Sequence, residues 1–154
     1  MAPDTLVAFG RPPGPRGSYM QWEEGGIAPQ VVFEVLSPGN TSAEMRGKLE
    51  FYDRHGVEEY YIYDSDANTL EGWLRGEASL EPIATMDHWT SPRLGLRFER
   101  DPETLRLIRP DGRALETYEE LDARADQAAR RAERLAAQLR ALGIEPEEPP
   151  PGGP

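Results

Sequence analysis

The sequence contains no cysteine, which excludes disulfides, a thiolate zinc site and a cysteine nucleophile. Histidine is nearly as scarce. His55 and His88 are the only two, and a spacing of 33 residues excludes an HExxH zinc motif. No apolar run approaches the roughly 18 residues of a membrane-spanning helix, and nothing reads as a signal peptide. The default expectation is a cytoplasmic protein with no membrane attachment. Lysine is the scarcest charged residue: of 17 basic side chains, only Lys48 is not an arginine. Arginine replaces lysine on a solvated surface, but not where a proton or a compact point charge is needed. A single retained lysine is either a leftover of an arginine-rich composition or a residue that the chemistry requires. Its neighbourhood has to decide.

Acidic residues, in contrast, are plentiful. The 28 acids leave a net charge of −11, which disfavours nucleic-acid binding because that rewards basic surfaces. The excess is uneven. Residues 1–55 hold seven acids against five bases, a balance of −2 that a divalent cation on two of the carboxylates would cancel. From Glu145 the chain reads EPEEPPPGGP, an acidic Pro/Gly tail (144–154) that cannot bury apolar surface and is expected to be disordered. Residues 1–115 must therefore supply one domain and its core, with 38% of the chain hydrophobic.

The pattern along those residues alternates between strands and loops. TLVAF (5–9) reads as a short strand, and GRPPGPRG (10–17) as a loop, since its glycines and prolines allow neither helix nor ladder. SYMQWEEGG (18–26) has room for one helical turn. QVVFEVL (30–36) is apolar on both faces, as in a central strand covered on both sides. Val31, Phe33 and Val35 share one face, and Val32, Glu34 and Leu36 share the other. A helix follows, with Thr41 and Glu44 in capping-box spacing, and Met45, Lys48, Leu49 and Tyr52 on one face. His55-Gly56 ends it. EYYIYD (59–64) and NTLEGWLR (68–75) read as a hairpin, with weaker strands near 79–84, 94–98 and 104–109. This order predicts an α/β (α+β) fold, a mixed sheet with a helix packed on it. From Leu121, apolar residues Leu121, Ala125, Ala128, Ala132, Leu135, Leu139 and Leu142 recur at 4-3 spacing until Gly143. That is a coiled-coil seam within 116–143. It predicts either a homodimer or a helix that folds back on its own domain.

Three charged side chains form a suggestive set: Asp4 beside the first strand, Glu34 inside the second, and Lys48 in the following helix. A carboxylate in the middle of an apolar strand costs several kcal/mol, roughly, if left unpaired. Paired with a second carboxylate, it suits Mg²⁺, which prefers oxygen ligands and keeps several waters. Lys48 shares a face with Met45, Leu49 and Tyr52 and so points at the sheet, where an ammonium can orient an attacking water and offset developing negative charge. Purely structural roles fit the same residues. Glu44 precedes Lys48 at the i, i+4 spacing of an exposed ion pair, or Lys48 snorkels past its apolar neighbours. Glu34 is then satisfied by an arginine or a tyrosine, and Asp4 is a fraying terminal residue.

APDTLVAFGRP, PQVVFEVLSPGNTSAEMRGKLEFYDRHGVEEYYIYD and SPRLGLRF resemble the Uma family of restriction endonucleases, in the PD-(D/E)XK nuclease superfamily. The resemblance runs from Pro3 to about Gly112 and is most specific from FEVLSPGN through GVEEYYIYD. It implies that Asp4, after Pro3, is the PD aspartate and that Glu34 is the acid of the second motif. Both would bind Mg²⁺ (or Mn²⁺), with help from the Val35 backbone carbonyl. The lysine's usual place, two residues after the acid, is Leu36 here. The chain is similar to a variant in which that lysine has moved to the next helix, where Lys48 stands. Members carry further elements and an acidic position before the PD motif, and many have a second Pro-Asp where this chain has Pro29-Gln30. The resemblance therefore also implies an N-terminally truncated copy that lacks a ligand.

The expected function is Mg²⁺-dependent hydrolysis of DNA phosphodiester bonds by Asp4, Glu34 and Lys48, with Arg11 and Arg16 as phosphate contacts. DNA and a second copy of the chain are the expected partners. The alternative is a catalytically inactive, nuclease-like protein acting as an oligomerisation or partner-binding module through its heptad helix.

Overall fold

The computed structural model describes residues 2–12, 14 and 17–143. Arg16 and the acidic tail, both singled out above, lie outside the described residues. The chain divides into two compact units, Met1–Ala114 and Leu115–Pro154.

In the first unit β1 (Thr5–Val7) runs antiparallel to β2 (Val31–Leu36). Helix α1 (Ser42–Arg54) then carries the chain to β3 (Glu59–Asp64), which pairs parallel with β2. Strands β4 (Thr69–Arg75) and β5 (Leu80–Pro82) follow, each antiparallel to its predecessor. The result is a five-stranded mixed sheet in the order β1-β2-β3-β4-β5. β6 (Arg97–Arg100) and β7 (Leu105–Ile108) make a separate antiparallel hairpin.

Both faces of the sheet are covered, as the two-sided apolar pattern of residues 30–36 requires. On one face Val32, Tyr60 and Ile62 pack against Tyr52, Leu49 and Met45 of α1. On the other Val31, Phe33 and Tyr61 pack with Phe98 of β6 and with Leu105 and Leu107 of β7. Glu34 falls on the helix face, between Val32 and Leu36.

Three local differences from the sequence reading have plain causes. β1 stops at Val7; beyond it the Phe9 amide donates to the Gln30 side chain rather than to a strand. β6 begins at Arg97 rather than at residue 94, because Leu94 is held in a turn by its backbone N–H, which donates to Ser91 Oγ, and by Gly95, whose φ is +66°. At the start of α1 the Thr41 hydroxyl accepts from the Glu44 amide, but the Glu44 carboxylate accepts from Asn40 Nδ2 at 3.4 Å. The capping box is therefore only half formed.

The second unit holds α2 (Tyr118–Ala141), which starts one turn before Leu121. Its reciprocal capping box joins Thr117 and Glu120, and Gly143 follows the helix with a φ of +76°. Among the described residues no helix is long and apolar enough to cross a membrane.

Candidate active site

Strand register brings the two candidate carboxylates together. Thr5 pairs with Phe33, Leu6 with Val32 and Val7 with Val31. One step before the first of these pairs, the same register sets Asp4 across from Glu34. Residues directly opposite on adjacent strands share a face, with Cβ atoms roughly 4.5–5.5 Å apart. Asp4 is not frayed: its Oδ2 accepts from the Val35 amide at 2.8 Å, taking over the role of a backbone acceptor where β1 has ended.

Glu34 is buried, with 2% exposure, and both of its oxygens are engaged. Oε2 accepts from Lys48 Nζ at 2.8 Å, and Oε1 from the Tyr52 hydroxyl at 3.0 Å. The ion pair with Glu44 that residue spacing offered as an alternative for Lys48 is not the one formed. Lys48 and Tyr52 are one helical turn apart on the inward stripe of α1, so the helix delivers an ammonium and a phenol to one carboxylate. Lys48 thus crosses from helix to sheet, as its position on the Met45–Leu49–Tyr52 face predicted.

In the sequence Tyr52 reads as core, and no local pattern sets Tyr60 apart. Burial first, then the Glu34 charge and the hydrogen bond to it, push the Tyr52 phenol far above its ordinary range, with smaller contributions from Tyr60 and Asp4. Tyr60 is pushed up likewise, by burial and then by Glu34 and Asp4. Both acids therefore act on the same two phenols, in keeping with the register that sets Asp4 across from Glu34. The only hint in the sequence was the polar end of Tyr52 on the stripe that carries Lys48.

Among the described residues the Tyr60 hydroxyl is the one buried side-chain polar atom with no hydrogen-bond partner. Such an atom beside two carboxylates fits a hydrated cation, whose water would accept or donate there. The protein ligand set is small. Among the described residues no cluster of three or more His, Cys, Asp or Glu side chains assembles that could hold a metal. Asp4, Glu34 and main-chain oxygen would have to suffice, with water filling the remaining positions. Mg²⁺ tolerates that arrangement better than other divalent ions, because it dehydrates reluctantly.

A hollow of about 1110 Å³ opens beside this locus, lined among others by Asp4, Tyr52, His55, Tyr19 and Trp22. Arg11 is committed elsewhere: its Nε bonds Glu24 Oε2 at 2.7 Å. The structure thus brings Asp4, Glu34 and Lys48 together but does not add Arg11 to them.

The model of one protein family, described as "Putative restriction endonuclease", matches residues 1–106. Comparison with the curated proteins gave no match. The matched stretch contains Asp4, Glu34, Lys48, Tyr52 and Tyr60, together with the whole five-stranded sheet and α1. By that match over most of its length, the chain belongs to the Uma2 family.

Proposed function

We propose that this chain is a Mg²⁺-dependent endonuclease that hydrolyses DNA phosphodiester bonds. The observation that carries this reading is the 2.8 Å contact between the sole lysine and the buried Glu34, across 14 residues of sequence. Asp4 and Glu34, with the Val35 carbonyl, would hold the cation. When bound, it would lower the pKa of water and polarise the phosphoryl oxygens. Lys48, positioned by Glu34, offers the remaining N–H bonds of its ammonium to the attacking water and to the phosphoryl oxygen on which charge develops. Tyr52 fixes the other Glu34 oxygen, so the carboxylate cannot rotate away. The hollow gives substrate a place beside Asp4 and Tyr52, which line it. The family description supports DNA as the substrate.

Supercoiled plasmid nicking tests the proposal. Activity is expected only with Mg²⁺ or Mn²⁺, is abolished by EDTA, and falls to background in Glu34→Ala and Lys48→Ala. Lys48→Arg keeps the charge but presents a planar fork that does not fit one carboxylate oxygen and one water. It is expected to lose about a hundredfold or more, the scale of removing one transition-state donor. Undiminished nicking by Lys48→Arg would sink the water-positioning role.

A second reading has its own observation: both Glu34 oxygens are already satisfied by protein groups, which balances the buried charge without a cation. In that case the chain is a nuclease-like scaffold that does not cleave, and no nicking appears with either metal although the protein is folded.

A further inference from the structure

Helix α2 carries an apolar edge that its own unit leaves uncovered. None of its residues is buried, and Leu121 and Leu135 are 43% and 51% exposed. Its charge is sorted along its length. From Tyr118 to Ala128 there are four acids (Glu119, Glu120, Asp122, Asp126) and one base, Arg124; from Ala129 to Ala141 there are four bases (Arg130, Arg131, Arg134, Arg140) and one acid, Glu133. The halves thus carry −3 and +3. The helix dipole accounts for charges in the first and last turns only. In the middle Asp126 and Arg130 stand at the i, i+4 spacing of a pair within the helix, whereas Arg131 and Arg134 have no acid three or four residues before them, so the two halves keep their opposite net charge.

We infer that α2 pairs with α2 of a second copy of this chain, and that the two helices run antiparallel. Antiparallel pairing sets each acidic half against a basic half; parallel pairing sets acid against acid and base against base. Side-chain size favours the same orientation. With the two-fold axis at the middle of the helix, Tyr118 meets the second copy's Leu142, Leu121 meets Leu139, Ala125 meets Leu135, and Ala128 meets Ala132. Every contact joins the two seam positions of the heptad, as antiparallel packing requires. Large side chains flank a small centre, which lets the backbones approach closely. A parallel pair would instead stack Ala125, Ala128 and Ala132 on themselves in three successive layers, burying little. Ala129 and Ala136, next to the seam, widen the apolar edge without obstructing a close approach. This inference does not depend on the nuclease reading, since it rests on α2 alone.

The absence of cysteine makes the test clean, because any introduced thiol is the only one. Sedimentation of the full chain should show a monomer–dimer equilibrium, and Leu135→Asp with Leu139→Asp should leave only monomer while circular dichroism stays that of a folded protein. For orientation, Leu121→Cys and Leu139→Cys chains are oxidised separately and mixed. The antiparallel pair predicts a disulfide-linked dimer in the mixture and little in either alone. A monomer at every concentration, a dimer that survives the paired aspartates, or efficient self-linking of each single variant would overturn the inference.

Discussion

Glu34, Lys48 and Tyr52 show how a carboxylate can sit in a central strand at all. Burial removes the water that would solvate its charge, so the ammonium and the phenol must replace it. Removing Lys48 alone strands the charge. Lys48→Met is therefore expected to cost about 3–5 kcal/mol, whereas Glu34→Leu combined with Lys48→Met should recover most of that loss. Urea denaturation of the two single variants and the double variant measures this. Additive losses would show that the pair is not coupled, contrary to the 2.8 Å contact. A recovered double variant carries a further implication. Apolar residues could then do the structural work, so the pair is retained for something other than stability. The same cycle protects the nicking experiment, since loss of activity in Lys48→Ala can be separated from loss of fold.

Among the elements, the space between β4 and the segment that follows β5 is set by a residue with no side chain. Gly72 in β4 lies where an added Cβ would come within 2.8 Å of Met86 Sδ, 2.9 Å of Ile83 Cδ1 and 3.0 Å of Tyr61 Cδ1. Gly72→Ala should destabilise the first unit by about 1–3 kcal/mol, the usual cost of overpacking, read as a drop in thermal midpoint. An unchanged midpoint would mean that Met86 and Ile83 move aside freely. Much of this level was legible in the sequence. The apolar run at 30–36, the alternation at 59–64 and the inward stripe of α1 are local patterns whose period fixes the element and its buried face. Glu34 stood out as a misfit, and Lys48 as sharing the inward stripe. Register was not legible. That Asp4 stands opposite Glu34 depends on how β1 pairs with β2, a contact between residues about thirty positions apart that no local pattern encodes. Tyr52 was hidden for a related reason: its ring belongs to the core, and only its hydroxyl meets the carboxylate. Glu59 was hidden too. It is fully buried and bonded to the Tyr61 hydroxyl, Ser91 Oγ and the Arg93 amide, a network that ties residues 91–93 back to β3. Strands read well, but what fastens the loops to them does not.

Across the first unit, three tyrosines govern how stability responds to alkali. Tyr52, Tyr60 and Tyr61 are almost wholly buried. Each phenol is pushed above its ordinary value of 10.0, chiefly by burial and then by a neighbouring carboxylate, although Trp89 opposes the rise at Tyr61. Folded and unfolded chains hold these protons equally below about pH 10. Above that the unfolded chain releases them while the folded chain keeps them, so alkali favours unfolding and the stability they contribute is lost as pH rises. Three linked protons make the fall as steep as about 4 kcal/mol per pH unit. Tyr60 isolates the effect, because its hydroxyl has no hydrogen-bond partner among the described residues. Tyr60→Phe removes one titrating group at little cost in hydrogen bonding. Denaturant melts at neutral pH should therefore nearly coincide with those of the parent, while the slope above pH 10 should become shallower by about 1.4 kcal/mol per pH unit. An unchanged alkaline slope would mean that the Tyr60 phenol ionises inside the folded protein, and that the two carboxylates do not act on it as the structure indicates. A large loss at neutral pH would instead reveal that the hydroxyl has a partner after all, the water expected beside Asp4 and Glu34, and addition of Mg²⁺ should then stabilise the parent more than the variant.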